Sequence, residues 1–156
     1  DGLIAVEGTA VIAFTVLVAW ATRKVPPLTA IAAGVMITSL SWLLLTVSGS
    51  TAFIVATLIG IAIGEVTLAP RFYEYCSRLA PKGQEGLFLG YSFLPVAIGF
   101  LIGGPLGGNL VHHYAATANP AAMWYVVSGI GVVTALALFA YDRILGPQKA
   151  QDGSAS

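Results

Sequence analysis

Charged side chains are scarce in this chain of 156 residues, in which seven Asp or Glu and seven Lys or Arg make up only 9% of the sequence. A soluble domain carries about 25% charged residues, so this chain has too few to cover a surface in contact with water. The two signs cancel to a formal net charge of zero, and the excess of positive charge that binds DNA or RNA is therefore missing. Composition thus excludes a soluble enzyme, a nucleic-acid-binding protein and a disordered protein.

Cysteine and catalytic motifs are also missing. The single cysteine, Cys76, cannot form a disulfide within the chain and matches no metal-binding spacing. The HExxH, GxSxG, CxxC and P-loop patterns do not occur. We therefore expect no enzymatic activity, no metal and no cofactor.

Hydrophobic residues, in contrast, are abundant and make up 57% of the sequence. A helix that crosses a membrane needs about 20 largely apolar residues, and five stretches qualify: 3–22, 27–47, 51–69, 86–111 and 121–141. The third is expected to continue past Pro70, with a kink, to about Leu79, because apolar residues recur there at helical spacing. The sequence predicts an all-α membrane protein with five transmembrane helices in residues 1–147, followed by a disordered cytoplasmic tail, 148–156.

The basic residues predict the orientation. All seven lie in three places, after the first, third and fifth stretches. With five spans these places share one side of the membrane, and the excess of Lys and Arg marks the cytoplasmic side. We expect the N-terminus outside and the C-terminus inside. Because the chain begins at Asp1 with an odd number of spans, we interpret it as the C-terminal piece of a longer protein.

Glu65 is the strongest candidate for a functional residue, because a carboxylate deep in a bilayer is costly and such residues usually face a bundle interior or a water-filled cavity. It would bind a proton or pair with a cation, as a proton-coupled carrier requires; the alternative is a purely structural ion pair. Glu7 is a weaker candidate, since it is near the outer end of its span and can reach the headgroups. Further along the third helix, Glu74 is spaced to pair with Arg71 and Arg78.

Glycines four residues apart recur in the third and fourth stretches, among them Gly60 with Gly64 and Gly99 with Gly103. Such pairs let membrane helices approach closely. A transporter, a channel or a membrane scaffold would all show this pattern, so the glycines indicate tight packing and select no function.

The segment 64–108 resembles the signature of the proton-coupled oligopeptide transporters within the major facilitator superfamily. That signature has Gly-Glu, a proline five residues after the Glu, Leu-Ala-Pro, two further glycines, Phe-Leu and Gly-Gly. The matching residues are Gly64, Glu65, Pro70, Leu79, Ala80, Pro81, Gly86, Gly90, Phe93, Leu94, Gly103 and Gly104. The spacings hold without an insertion.

The resemblance implies a fold of twelve helices in two halves, of which this chain would supply helices eight to twelve. It also implies that Glu65 binds the proton or the substrate's amino group. The chain departs from the family at two positions that line the peptide pocket there: Ala69 stands where the family usually has Ser, and Ser92 where it usually has Trp. These departures imply a smaller, altered pocket.

The sequence therefore predicts part of a secondary transporter in the plasma (inner) membrane, a proton-coupled symporter of peptides or peptide-like solutes. Its partners would be a small-molecule substrate, protons, the lipid bilayer and the missing N-terminal half of the same transporter, with no nucleic acid. Two alternatives remain: a major facilitator carrier of another small solute, such as a nucleoside or a drug, and a helical membrane protein that binds partners and transports nothing.

Overall fold

The computed structural model of the chain describes residues 15, 17, 18, 20–117 and 119–152, with side chains as far as residue 144. Regular secondary structure in this part is helical. The helices are α1 (Pro27–Ser41), α2 (Leu44–Val47), α3 (Thr51–Leu79), α4 (Glu85–Ala115) and α5 (Ala122–Asp152). Residues 15, 17, 18 and 20–22 are helical as well. Most of the predicted first span, including Glu7, lies outside the described residues.

Within the described residues, four helical stretches are long and apolar enough to cross a membrane. They are Pro27–Val47, Thr51–Leu79, Glu85–Ala115 and Ala122–Ile144, of 21, 29, 31 and 23 residues. Each reaches or exceeds the length of about 20 residues that a bilayer core requires. The predicted all-α membrane protein is confirmed over these four stretches, whereas the numbering as helices eight to twelve stays a prediction.

The predicted span at 27–47 is interrupted rather than continuous. After α1 ends at Ser41, the hydrogen bonds span three residues instead of the four of an α-helix. The amides of Leu43 and Leu45 donate to carbonyls three residues earlier, at 3.1 and 3.2 Å. The Ser41 hydroxyl donates to the Ile37 carbonyl at 2.8 Å, a bond that often bends helices. The Trp42 ring stacks on Trp124 of α5, with centroids 4.8 Å apart, and this stacking accompanies the interruption.

Of the other helices, α3 and α4 end close to the predicted positions, whereas α5 extends well past residue 141. α3 runs through Pro70 to Leu79, which confirms that the apolar span and the amphipathic stretch form one helix. α4 extends four residues past Val111, to Ala115. α5 continues to Asp152 and so includes residues 148–152 of the predicted tail, while residues 153–156 lie outside the described part.

α1 packs against both α3 and α5, whereas α4 packs against α3 and, less extensively, α5. α1 runs antiparallel to both, since Gly34 is close to Gly64 and Ser41 close to Gly60, while Ser39 meets Gly131 of α5. A Cβ added to Gly34 would be 2.7 Å from the Gly64 carbonyl oxygen and 2.9 Å from Leu68 Cβ. The approach of α1 to α3 therefore requires glycine on both helices.

The glycines of α4 are in a different situation. A Cβ added at Gly99, Gly103, Gly104, Gly107 or Gly108 would meet no described atom within 4 Å. The large apolar side chains between these glycines are also exposed; Phe100, for example, is 79% exposed. Of the predicted glycine pairs, Gly60 with Gly64 packs tightly against another described helix, and those of α4 do not.

Candidate functional site

Glu65 stands at the midpoint of α3, fourteen residues from each end of the helix of 29 residues. At 1.5 Å per residue both ends are about 21 Å away, and Glu65 lies within the apolar span 51–69, so a bilayer crossed by this span would hold the carboxylate in its hydrocarbon core. Glu65 is an exposed residue of α3, whereas its neighbours Gly64 and Val66 are buried. α3 therefore turns Glu65 away from the close contact with α1.

A cavity of about 320 Å³ lies beside Glu65, between α3 and the helical residues that precede α1. It is lined by Thr15, Glu65, Val66, Ala69 and Pro70. Ligand pockets in proteins range from about 300 to 1,000 Å³ and are mostly apolar with a few placed polar groups. This cavity is at the small end of that range, and its walls combine one carboxylate and one hydroxyl with three apolar residues.

The two predicted pocket-lining positions occupy different environments. Ala69 lines the cavity one helical turn from Glu65. Ser92 is not among the described residues that line it. Ser92 is the one buried residue of α4, at 6% exposure, and its hydroxyl donates to the Leu89 carbonyl at 2.6 Å. The structure thus brings Glu65 and Ala69 together and leaves Ser92 in a helix contact.

Arg71, which is predicted to pair with Glu74, also links two helical segments. Arg71 Nη1 bonds Glu74 at 2.6 Å, and Arg78 reaches the other oxygen of the same carboxylate at 2.6 Å, which confirms both predicted pairs. Arg71 Nη2 also donates to the backbone carbonyl of Thr22. A cation at a helix C-terminus is favourable. The sequence signal for this contact was only a basic residue at the end of the span.

A second polar contact joins α1 to α5 at the same end of the bundle: the Thr29 hydroxyl donates to Asp142 Oδ2 at 2.6 Å. The antiparallel packing and these contacts collect at one end all the basic residues whose side chains are described, Arg23, Lys24, Arg71, Arg78, Lys82 and Arg143. We call this the basic end. Its identification with the cytoplasmic side stays a prediction.

The described residues hold no group of three or more His, Cys, Asp or Glu side chains that could bind a metal ion. His112 and His113 lie in the last turn of α4, and the His113 ring packs edge-on against Tyr114, with centroids 5.1 Å apart. Among the described residues, the Glu65 cavity offers a carboxylate that can exchange a proton or hold a cationic group.

The chain is similar to bacterial proteins named multidrug resistance protein MdtH. Those of Salmonella newport, Salmonella heidelberg and Salmonella typhimurium are each 33% identical to it over 106 residues, which is 68% of this chain and 26% of the relative. The match thus spans about a quarter of the length of these relatives. No family model matches the chain, and no solved structure matches it.

Proposed function

We propose that this chain is part of a secondary carrier of the major facilitator type that moves drug-like small molecules out of the cell across the inner membrane. The observation that carries the proposal is the carboxylate of Glu65 in a mostly apolar cavity at the middle of α3. The similarity to the multidrug resistance proteins supports drugs as the solute. A carrier explains both features, whereas a membrane protein that only binds partners has no need of the cavity.

The composition of the cavity suits an amphipathic solute. Val66, Ala69 and Pro70 offer an apolar wall, and Glu65 and Thr15 add polar groups at its edge. A small apolar molecule with a basic group could place its hydrocarbon part on the wall and its charge beside Glu65. Ala69 supports this proposal, since a methyl group adds apolar surface where a serine would offer a hydroxyl.

In the proposed cycle the Glu65 carboxylate alternates between a proton and the solute. Charge deep in a membrane is costly, so the carboxylate is more stable when either partner neutralises it. Competition for one site then couples proton entry to solute exit, while two halves of the complete carrier expose the site to each side in turn.

The peptide symporter predicted from the sequence motif is the second candidate. The motif residues Gly64, Glu65 and Pro70 favour it, and the similarity to multidrug resistance proteins favours a drug carrier instead. A peptide carrier must bind both charged termini of its substrate. The described residues that line the cavity supply one acidic group for this purpose, Glu65.

The test is transport by the full-length protein in proteoliposomes under an imposed pH gradient. A lipophilic cationic dye and a labelled dipeptide are offered separately, with empty liposomes as the control. We expect proton-dependent movement of the dye and none of the peptide. Movement of the peptide alone would establish the symporter, and movement of neither under any gradient would contradict both carriers.

A further inference from the structure

A second cavity, of about 260 Å³, lies at the basic end and is lined by Trp20, Ala21, Arg23 and Lys24. We propose that it binds the phosphate headgroup of an anionic phospholipid, specifically one from the bilayer leaflet that surrounds the basic end. The proposal does not depend on which solute the protein transports. It rests on the charge, the aromatic group, the rigidity and the position of this cavity.

Two uncompensated positive charges face the cavity. The ion pairs found among the described residues join Arg71 and Arg78 to Glu74, so neither Arg23 nor Lys24 is neutralised by a described carboxylate. Both are exposed. An arginine offers a planar fork of donors that fits phosphate oxygens, and a lysine offers a compact positive charge. A phosphodiester between them would receive hydrogen bonds from both.

The helix end beside the cavity would ordinarily repel an anion, because the last carbonyls of a helix carry partial negative charge. Here two of those carbonyls accept hydrogen bonds. The Thr22 carbonyl accepts bonds from Arg71 Nη2 and from the Val25 amide, and the Trp20 carbonyl accepts one from the Arg23 amide. Arg71 thus offsets the charge of the helix end and leaves the field of Arg23 and Lys24 dominant.

The connection that carries the two cations is short and restrained. Residues 23–26 join the helical residues to α1, and Pro26 and Pro27 fix the backbone at its end. A site held in shape before binding loses less entropy when the ligand arrives. The volume of about 260 Å³ corresponds to about nine water molecules at liquid density, enough for a phosphate with its glycerol.

Trp20 connects the cavity to the bilayer. Its ring is 74% exposed at the end of a helical segment, and tryptophan is enriched where membrane and water meet because its ring is amphipathic. A ligand that touches both this ring and the two cations must combine an apolar body with an anion. A phospholipid has both, whereas free phosphate could use the cations alone.

The test uses Trp20 as the reporter. The full-length protein is placed in phosphatidylcholine vesicles that contain a minor fraction of dibrominated phosphatidylglycerol or, for comparison, dibrominated phosphatidylcholine. Bromine quenches nearby tryptophan, and the signal that disappears in Trp20→Phe is assigned to Trp20. We expect several-fold stronger apparent binding of phosphatidylglycerol than of phosphatidylcholine, unchanged by millimolar inorganic phosphate.

The variant Arg23→Gln/Lys24→Gln should remove most of this preference, because one cation near an anionic lipid surface contributes about fivefold. The matched control Lys82→Gln/Arg143→Gln removes the same charge from exposed positions of the basic end outside the cavity and should retain most of the preference. If the two double variants lost the preference for phosphatidylglycerol equally, general surface charge would explain the preference, and the proposed site would be wrong. Equal quenching by both lipids, or displacement by phosphate, would overturn the lipid as its occupant.

Discussion

Arg71 and Arg78 both pair with Glu74, yet their surroundings differ. The Arg71 side chain is 13% exposed and also bonds the Thr22 carbonyl, whereas that of Arg78 is 66% exposed. Losing a hydrogen bond to a charged, mostly buried group costs about 1.5 to 3 kcal/mol, and an exposed ion pair contributes a few tenths. Arg71→Met should therefore lower the free energy of unfolding by that larger amount.

The matched variant Arg78→Met removes the same charge and keeps a similar aliphatic stem. Its thermal midpoint in detergent should stay close to that of the unmodified protein, while the midpoint of Arg71→Met falls. If the two variants were equally stable, the contact between Arg71 and Thr22 would contribute nothing to holding the helices together.

The surroundings of the individual candidate residues differ in how well the sequence predicts them. Glu65 could be singled out because a carboxylate in an apolar run is conspicuous, and Ala69 followed from its position in the motif. Ser92 was expected to line the same pocket, but its hydroxyl bonds its own helix in a buried contact. The contact from Arg71 to Thr22 joins residues 49 positions apart, and no local pattern encodes such a contact.

At the scale of helices, replacing glycine by alanine is expected to change stability in opposite directions on α3 and on α4. Gly64→Ala adds a Cβ that would clash with Thr38 and come within 2.8 Å of the Gly34 carbonyl oxygen. Overpacking of this kind costs about 1 to 3 kcal/mol. On α4, Gly99→Ala meets no described atom within 4 Å and should stabilise the helix by about 0.4 to 1 kcal/mol, since alanine restricts the unfolded chain.

Reversible unfolding of the two variants in mixed detergent micelles measures both effects. A loss of stability in Gly64→Ala with a small gain in Gly99→Ala is the expected result. Equal losses would mean that the face of α4 is packed as tightly as that of α3, in disagreement with the structure.

The bounds of a helix could be predicted where a local sequence pattern determines them, and less well where packing against another helix determines them. α3 could be derived in full, because its apolar run and amphipathic end share one helical period across Pro70. The interruption after Ser41 could not, because it accompanies the stacking of Trp42 on Trp124, 82 positions away in the sequence. The sequence likewise contains many glycine pairs, and the partner helix decides which of them pack.

For the whole molecule, the collection of basic residues at one end predicts the orientation in the membrane. The connection after α2 carries no basic residue and should be outside, while the connection from α3 to α4 should be inside. In a Cys76→Ser background, Ser50→Cys should react with an impermeant maleimide applied to intact cells. Gln84→Cys should react only after the membrane is permeabilised.

Gln84 is preferred to its neighbour Gly83 for this experiment, because Gly83 has a φ of 85° that a cysteine would adopt only with strain. The opposite labelling pattern would reverse the orientation and place the basic end, with its proposed anionic lipid site, in the outer leaflet. Labelling of both positions in intact cells would contradict the alternation of the spans between them.

The most direct test of the account is solute transport by Glu65 variants of the full-length protein. Glu65→Gln keeps the size of the side chain but cannot exchange a proton, whereas Glu65→Asp keeps the titratable group on a shorter stem. Glu85→Gln, at the exposed start of α4, is the matched control for loss of a carboxylate.

The measurement is dye movement under an imposed pH gradient, divided by the amount of folded protein in the liposomes. We predict that proton-driven movement is lost in Glu65→Gln, retained in part in Glu65→Asp and unchanged in Glu85→Gln. Movement at the unmodified rate in Glu65→Gln would contradict the account, because the carboxylate at the centre of α3 would then have no part in coupling.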